Sequence, residues 1–159
     1  IKKLQKCPKL ITDKLFLATA SDDEVVTPKT IKNLFDSSHT KYKKLLVYRP
    51  GKNEEHDNII FRNATYPNYN VANFSHINML FSLYNIHYGI NGDYPRHVIT
   101  KGRHKRKKVV FGALNKETLG EYNVMRASFN PDFDFFANAL LKFIMMDANA
   151  PDSKAKSPR

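Results

Sequence analysis

The stretch from Lys14 to Tyr48 constrains this chain more than any other part of it. Lys14-Leu15-Phe16-Leu17-Ala18-Thr19-Ala20 is a short, nearly continuous apolar run. A run of that length without polar alternation reads as a strand buried on both faces, the habit of parallel sheets. It stops at Ser21-Asp22-Asp23-Glu24, a polar turn. Thr27 then offers an N-cap and Pro28 a first helical residue, where its missing N–H costs nothing. Ile31, Leu34 and Phe35 follow at helical spacing and give that helix one apolar face. Ser37-Ser38-His39-Thr40 ends it, and Leu45-Leu46-Val47-Tyr48 reads as a second buried strand stopped by Pro50-Gly51. Strand, helix and strand in so short a span make one βαβ crossover, which requires parallel pairing. The expected fold class is therefore α/β.

Downstream the signals are more local. Asn53 to Asn58 reads as a charged loop, Ile59 to Ala64 as a third strand, and Tyr66 to Asn73 as loop. Gly89, Gly92 and Pro95 mark further loop, and Val109-Val110-Phe111 a short strand. A long C-terminal helix is expected with Asn130 as its cap and Pro131 as its opening residue. Asp132 and Asp134 suit the positive end of its dipole. Phe133, Phe136, Ala137, Leu140, Leu141, Ile144 and Met145 form its apolar stripe. Burying that stripe is worth roughly 1.5–3 kcal/mol for each large side chain. Residues 1–147 are expected to be one unit and residues 148–159, rich in Ser, Lys and Pro, a disordered tail.

Composition narrows the function classes. No apolar run reaches the roughly 18 residues that a membrane-spanning helix needs. Cys7 is the sole cysteine, which leaves no internal disulfide and no cysteine-based zinc site. His56 and its acidic neighbours lack a metal-ligand spacing, so neither metal nor cofactor is expected. The chain carries 26 Lys and Arg against 15 Asp and Glu, a net charge of +11. Seven of those cations fall in residues 96–108, which hold no acid. Such a run reads first as a solvated surface loop. An anionic membrane surface is its next candidate partner. Nucleic acid is disfavoured, because aromatic side chains are not interleaved with the basic ones as single-strand binding requires.

The first strand also places a carboxylate where chemistry is usually found. Sites in open α/β sheets lie beyond the carboxyl ends of the strands. An Asp there is rigidly held and partly desolvated, as the orienting acid of a catalytic triad must be to fix a histidine tautomer. The plainer alternative is a solvated turn that helps to start the helix.

The stretch Leu15 to Pro28 resembles the acid-bearing strand and turn of the serine α/β-hydrolases. Phe74-Ser75-His76-Ile77-Asn78 resembles the histidine segment of their bacterial esterase and lysophospholipase-like branch. Tyr88-Gly89-Ile90-Asn91-Gly92-Asp93-Tyr94 and Asn130-Pro131-Asp132-Phe133-Asp134 are similar to the same branch. The resemblance spans about Leu15 to Met146, with the basic run fitting poorly. It implies the C-terminal part of an α/β-hydrolase fold, with Asp23 as triad acid and Asp22 as the near alternative. It implies His76 as the catalytic histidine on local sequence, while the spacing after the second strand points to His56. A general base needs a site that excludes bulk water, and His76 lies between Phe74 and Ile77, whereas His56 lies among charges.

The Gly-x-Ser-x-Gly elbow that carries the nucleophile of these enzymes is absent from the sequence. Their chain order is nucleophile, acid, histidine, so the nucleophilic Ser and the oxyanion hole are expected upstream of Ile1, in the same or a separate chain. The implied partner is that N-terminal half, and the implied substrate a small ester or lipid. Cys7 precedes the acid but sits in Lys6-Cys7-Pro8, away from any strand-to-helix elbow. The alternative function is a non-catalytic half-fold that binds an anionic partner through its basic loop.

Overall fold

The computed structural model describes residues 13–94, 109–113 and 123–146. The first strand, β1 (Lys14–Ala20), is followed by helix α1 (Pro28–Ser37) and strand β2 (Tyr42–Arg49). β1 and β2 pair in parallel, in register from Lys14↔Tyr42 to Ala20↔Tyr48. The crossover is thus the one the apolar runs and the Thr27-Pro28 start imply. Thr27 occupies the N-cap position, but its hydroxyl meets that of Thr30 at 2.7 Å rather than a backbone N–H.

Strand β3 (Glu54–His56) and strand β4 (Ile59–Asn63) follow as a hairpin. β4 lies between β2 and β3, so the sheet order is β1-β2-β4-β3, with β4 parallel to β2 and β3 antiparallel to β4. The expected charged loop at Asn53–Asn58 is therefore corrected to a short edge strand and a tight turn. Its strand carries no apolar side chain. It is held by backbone pairing to β4 and by the Lys44–Glu55 and Arg49–Glu54 ion pairs at 2.9 and 2.8 Å. The turn needs a left-handed residue, and Asp57 takes that role at φ 50, a conformation Asp tolerates better than most residues.

Side-chain alternation along the strands makes two cores. Leu17, Leu45, Val47 and Ile59 face α1 and pack with Ile31 and Phe35. Phe16, Ala18, Ala20, Leu46, Tyr48 and Ile60 face the other way, toward helix α2 (Phe133–Met145) and the loops. Helices on both faces of a largely parallel sheet give a layered α/β architecture. The phenol of Tyr48 is wholly buried against Phe74, 4.8 Å between ring centroids, and burial raises its pKa well above the ordinary tyrosine value.

The start and face of α2 differ from expectation. The helix begins at Phe133, with Asp132 in the N-cap position; Asn130 is fully buried and accepts the Asp132 N–H at 2.7 Å. Phe136 and Phe143 are its buried residues, and both meet Phe16, at 6.3 and 5.6 Å between centroids. Leu141, Ile144 and Met145 are exposed at 53, 59 and 74 %. The full apolar stripe is thus not buried, because the helix rests on the sheet along the Phe136–Phe143 line and turns that flank outward. Lys14 Nζ donates to the carbonyls of Ile144 and Met146, placing a cation at the helix C-terminus, where the dipole favours it. At the other end Arg62 grips Asp132 with two hydrogen bonds of 2.7 and 2.5 Å and stacks over Phe135 at 3.8 Å. The bond to Asp132 raises the pKa of Arg62.

The remaining elements are small. Helical turns at Pro67–Tyr69 and Asn78–Leu80 punctuate the loop that follows β4. Strand β5 (Val109–Phe111) pairs in parallel with strand β6 (Asn123–Met125) in a separate ladder. β5 falls where the Val-Val-Phe run places it; β6 has no counterpart in the sequence reading.

Candidate functional site

Asp23 sits three residues past the carboxyl end of β1 and is 4 % exposed. Two contacts fix the backbone here: Ser21 N–H donates to Tyr48 O at 2.8 Å, and Asp23 N–H to Ala20 O at 3.2 Å. The carboxylate then organises the turn into α1. Its Oδ1 accepts the N–H groups of Val25 and Val26 at 2.9 and 3.1 Å. An Asp can close such a turn because its short side chain reaches backbone donors two and three residues on. This explains why an aspartate, and not just any polar residue, follows the strand.

The same carboxylate holds His76. His76 Nδ1 lies 2.9 Å from Asp23 Oδ2 and 3.2 Å from Oδ1. The two side chains differ in exposure, 2 % for Asp23 and 31 % for His76. A carboxylate only accepts hydrogen bonds, so Nδ1 carries the proton, and in the neutral ring Nε2 is left with the lone pair. The arrangement can therefore accept a proton at Nε2 and stabilise the resulting imidazolium from the far side of the ring.

The structure thus brings Asp23 and His76 together and leaves the alternatives apart. Asp22 is engaged by the Ser21 hydroxyl at 3.2 Å. His56 lies in β3, 69 % exposed, with its Nε2 3.7 Å from Glu54. Of the other histidines, His39 is exposed and His87 faces Asp93 at 3.6 Å in solvent. His97, His104, Cys7 and the basic run 96–108 lie outside the described residues. Ser75 and Ser128 are fully buried. Among the described residues no group of three His, Cys, Asp or Glu could hold a metal ion, and no helix is long and apolar enough to cross a membrane.

No family model, curated protein or solved structure gives a significant match to this chain.

The sequence reading missed the shell behind the histidine. Ser75 N–H points to Asn78 Oδ1 at 3.3 Å, Asn78 Nδ2 donates to Ser128 Oγ at 2.5 Å, and Asn130 Nδ2 donates to Tyr48 Oη at 3.1 Å. The only trace of this in the sequence is a set of small polar residues set among apolar ones. Ser75 and Asn78 meet across three positions, but the Asn78–Ser128 and Asn130–Tyr48 bonds span 50 and 82, beyond the reach of any local pattern.

Proposed function

We propose that this chain supplies the acid and the histidine of a serine hydrolase that cleaves carboxylic esters, with lipid or lysophospholipid esters as the substrate class. The nucleophilic Ser and the oxyanion hole come from sequence upstream of these 159 residues or from a separate chain. The observation that carries the reading is the Asp23–His76 pair: a carboxylate buried at a strand end, tied to the Nδ1 of a half-exposed imidazole. In the proposed reaction the Ser hydroxyl attacks the ester carbonyl as its proton passes to His76 Nε2. His76 then gives that proton to the leaving alkoxide. A water molecule, deprotonated by the same nitrogen, attacks the acyl carbon; the bond to the Ser oxygen breaks, the acid leaves, and the proton passes from Nε2 to that oxygen. Asp23 stays ionised throughout and stabilises the imidazolium.

The first test is the native product: intact mass and peptide mapping upstream of Ile1. A Gly-x-Ser-x-Gly peptide in the same polypeptide or in a tightly held partner supports the reading, and ester turnover by that assembly completes it. A native product that starts at Ile1 and holds no partner chain overturns it.

A second reading rests on charge. The described residues carry equal numbers of acidic and basic side chains, so the whole excess of +11 lies outside them, with seven cations in residues 96–108. A half-fold that displays this run to an anionic partner would lose binding steeply as salt rises, whereas ester hydrolysis need not respond.

A further inference from the structure

Five polar side chains that the proposed chemistry leaves idle are buried around the histidine-bearing segment. Asn73 is 4 % exposed, and Ser75, Asn78, Ser128 and Asn130 are wholly enclosed. Polar groups buried this deeply add little net stability over apolar groups of the same shape, since each gives up water for its partner. What a fully satisfied buried network does provide is a single geometry.

The geometry it provides is that of His76. The turn carrying the imidazole is closed on itself: Ser75 N–H points to Asn78 Oδ1 at 3.3 Å, and the Ser75 hydroxyl lies against the same oxygen. That hydroxyl also reaches Arg126 O at 2.8 Å, and Asn78 Nδ2 reaches Ser128 Oγ at 2.5 Å, so the turn is moored to residues 126–128. Beyond the turn, Asn130 N–H donates to Phe81 O at 2.8 Å. Before it, Asn73 Oδ1 accepts the Ala113 N–H at 2.6 Å. The backbone of His76 is held from both sides, which leaves the ring only its own two torsions. Asp23 is held independently by Val25 and Val26. The two halves of the pair are 53 residues apart in sequence, so their 2.9 Å meeting depends on both supports.

We infer that Asn78 is a positioning residue: through Ser75 and Ser128 it fixes the His76 ring against Asp23. The inference rests on the proposed hydrolase reading only for what the pair is for. The placement itself is read directly from the imidazole.

The test uses the full chain, ¹⁵N-labelled, with the variants Asn78→Ala, Ser128→Ala and, as a control for destabilisation alone, Phe143→Leu. The readout is the His76 Nδ1–H resonance and its exchange with water, beside a thermal melt. In Asn78→Ala that proton exchanges at least about tenfold faster, the fold-change that one lost buried hydrogen bond corresponds to. In Phe143→Leu it does not move. A folded Asn78→Ala with the Nδ1–H signal unchanged, or a control that shifts it equally, overturns the inference. If Asn78→Ala does not fold, Ser128→Ala decides in the same way, because it removes one acceptor and leaves the turn's own bonds. Failure of the hydrolase reading would appear elsewhere, as an assembled protein without ester turnover and with this resonance intact.

Discussion

Replacing Asp23 separates its two duties. Asn keeps an oxygen for the N–H groups of Val25 and Val26, so the turn into α1 survives. The amide is neutral, however, and the hydrogen bond to His76 Nδ1 loses its charge assistance. A charge-assisted bond is worth about 1.5–3 kcal/mol and a neutral one about 1, so Asp23→Asn should cost about 0.5–2 kcal/mol. Val25 and Val26 use Oδ1 and His76 lies nearest Oδ2, so an Asn that keeps its oxygen on the turn aims its NH₂ at the ring; Nδ1 must then become the acceptor and the proton moves to Nε2. The histidine then loses its anchored tautomer, and in the proposed assembled hydrolase turnover should fall by roughly 10⁴-fold, the drop seen when a triad Asp becomes Asn in a serine protease. Ala removes both backbone bonds as well, adding about 1 kcal/mol for each N–H left to water. Urea unfolding of the two variants, with ¹⁵N spectra of His76 to read the tautomer, checks each part. The reasoning is refuted if Asp23→Ala is no less stable than Asp23→Asn, or if Asp23→Asn retains both the wild-type Nδ1–H signal and wild-type turnover.

In the same proposed hydrolase, His76→Ala should lower turnover by about 10²–10⁴-fold, the usual share of a general acid–base group. His56→Ala, on the solvated edge strand, should leave it unchanged, and steady-state kinetics separates the two. Phe143→Ala should destabilise this chain by about 3–5 kcal/mol as a large-to-small change against Phe16. Ile144→Ser, on the exposed flank, should stay within about 0.5 kcal/mol; paired denaturation curves decide. Burial, reinforced by Asp132, pushes the pKa of Tyr66 from its ordinary 10.0 up to about 12, and burial raises Tyr48 as well. Both phenols hold their protons more tightly when folded, so this stability is complete below pH 10 and is lost as pH rises through about 12. Phenolate absorbance and circular dichroism should therefore change together in that window. Purified alone, the 159-residue chain should self-associate; a monodisperse, cooperatively melting monomer in size-exclusion chromatography and calorimetry would contradict this.

The parts of the fold that could be read from sequence are those whose signals are local. β1, α1 and β2 each announce themselves within seven to ten residues, through an apolar run or a Thr-Pro start. β3 gives no such signal, since Glu54, Glu55 and His56 all face solvent and the strand exists only because β4 is there to pair with it. In α2, periodicity finds the apolar side but not where the sheet beneath it runs, so Phe143 is buried while Ile144 beside it is not. The site followed the same division. A carboxylate after a buried strand points to the turn that holds Asp22 and Asp23, and only the resemblance to the hydrolases singles out Asp23; the Phe-Ser-His-Ile context favours His76 over His56. The shell of Ser75, Asn78, Ser128 and Asn130 depends on contacts across about fifty positions, which no window on the sequence contains.

The two borders of the sheet are unlike. One is β3, three residues long and carrying Glu54 and Glu55, the short charged border that natural proteins use to stop strand addition. The other is β1, seven residues long, with β2 as its one strand partner among the described residues. Among the described residues, growth of this sheet therefore has a direction. If two copies met through β1, a two-fold axis would use up both receptive borders and leave only the charged ones facing outward. Among the described residues, self-association by that route ends at a pair, because the borders left outside are the two short, charged β3 strands that resist further strand addition.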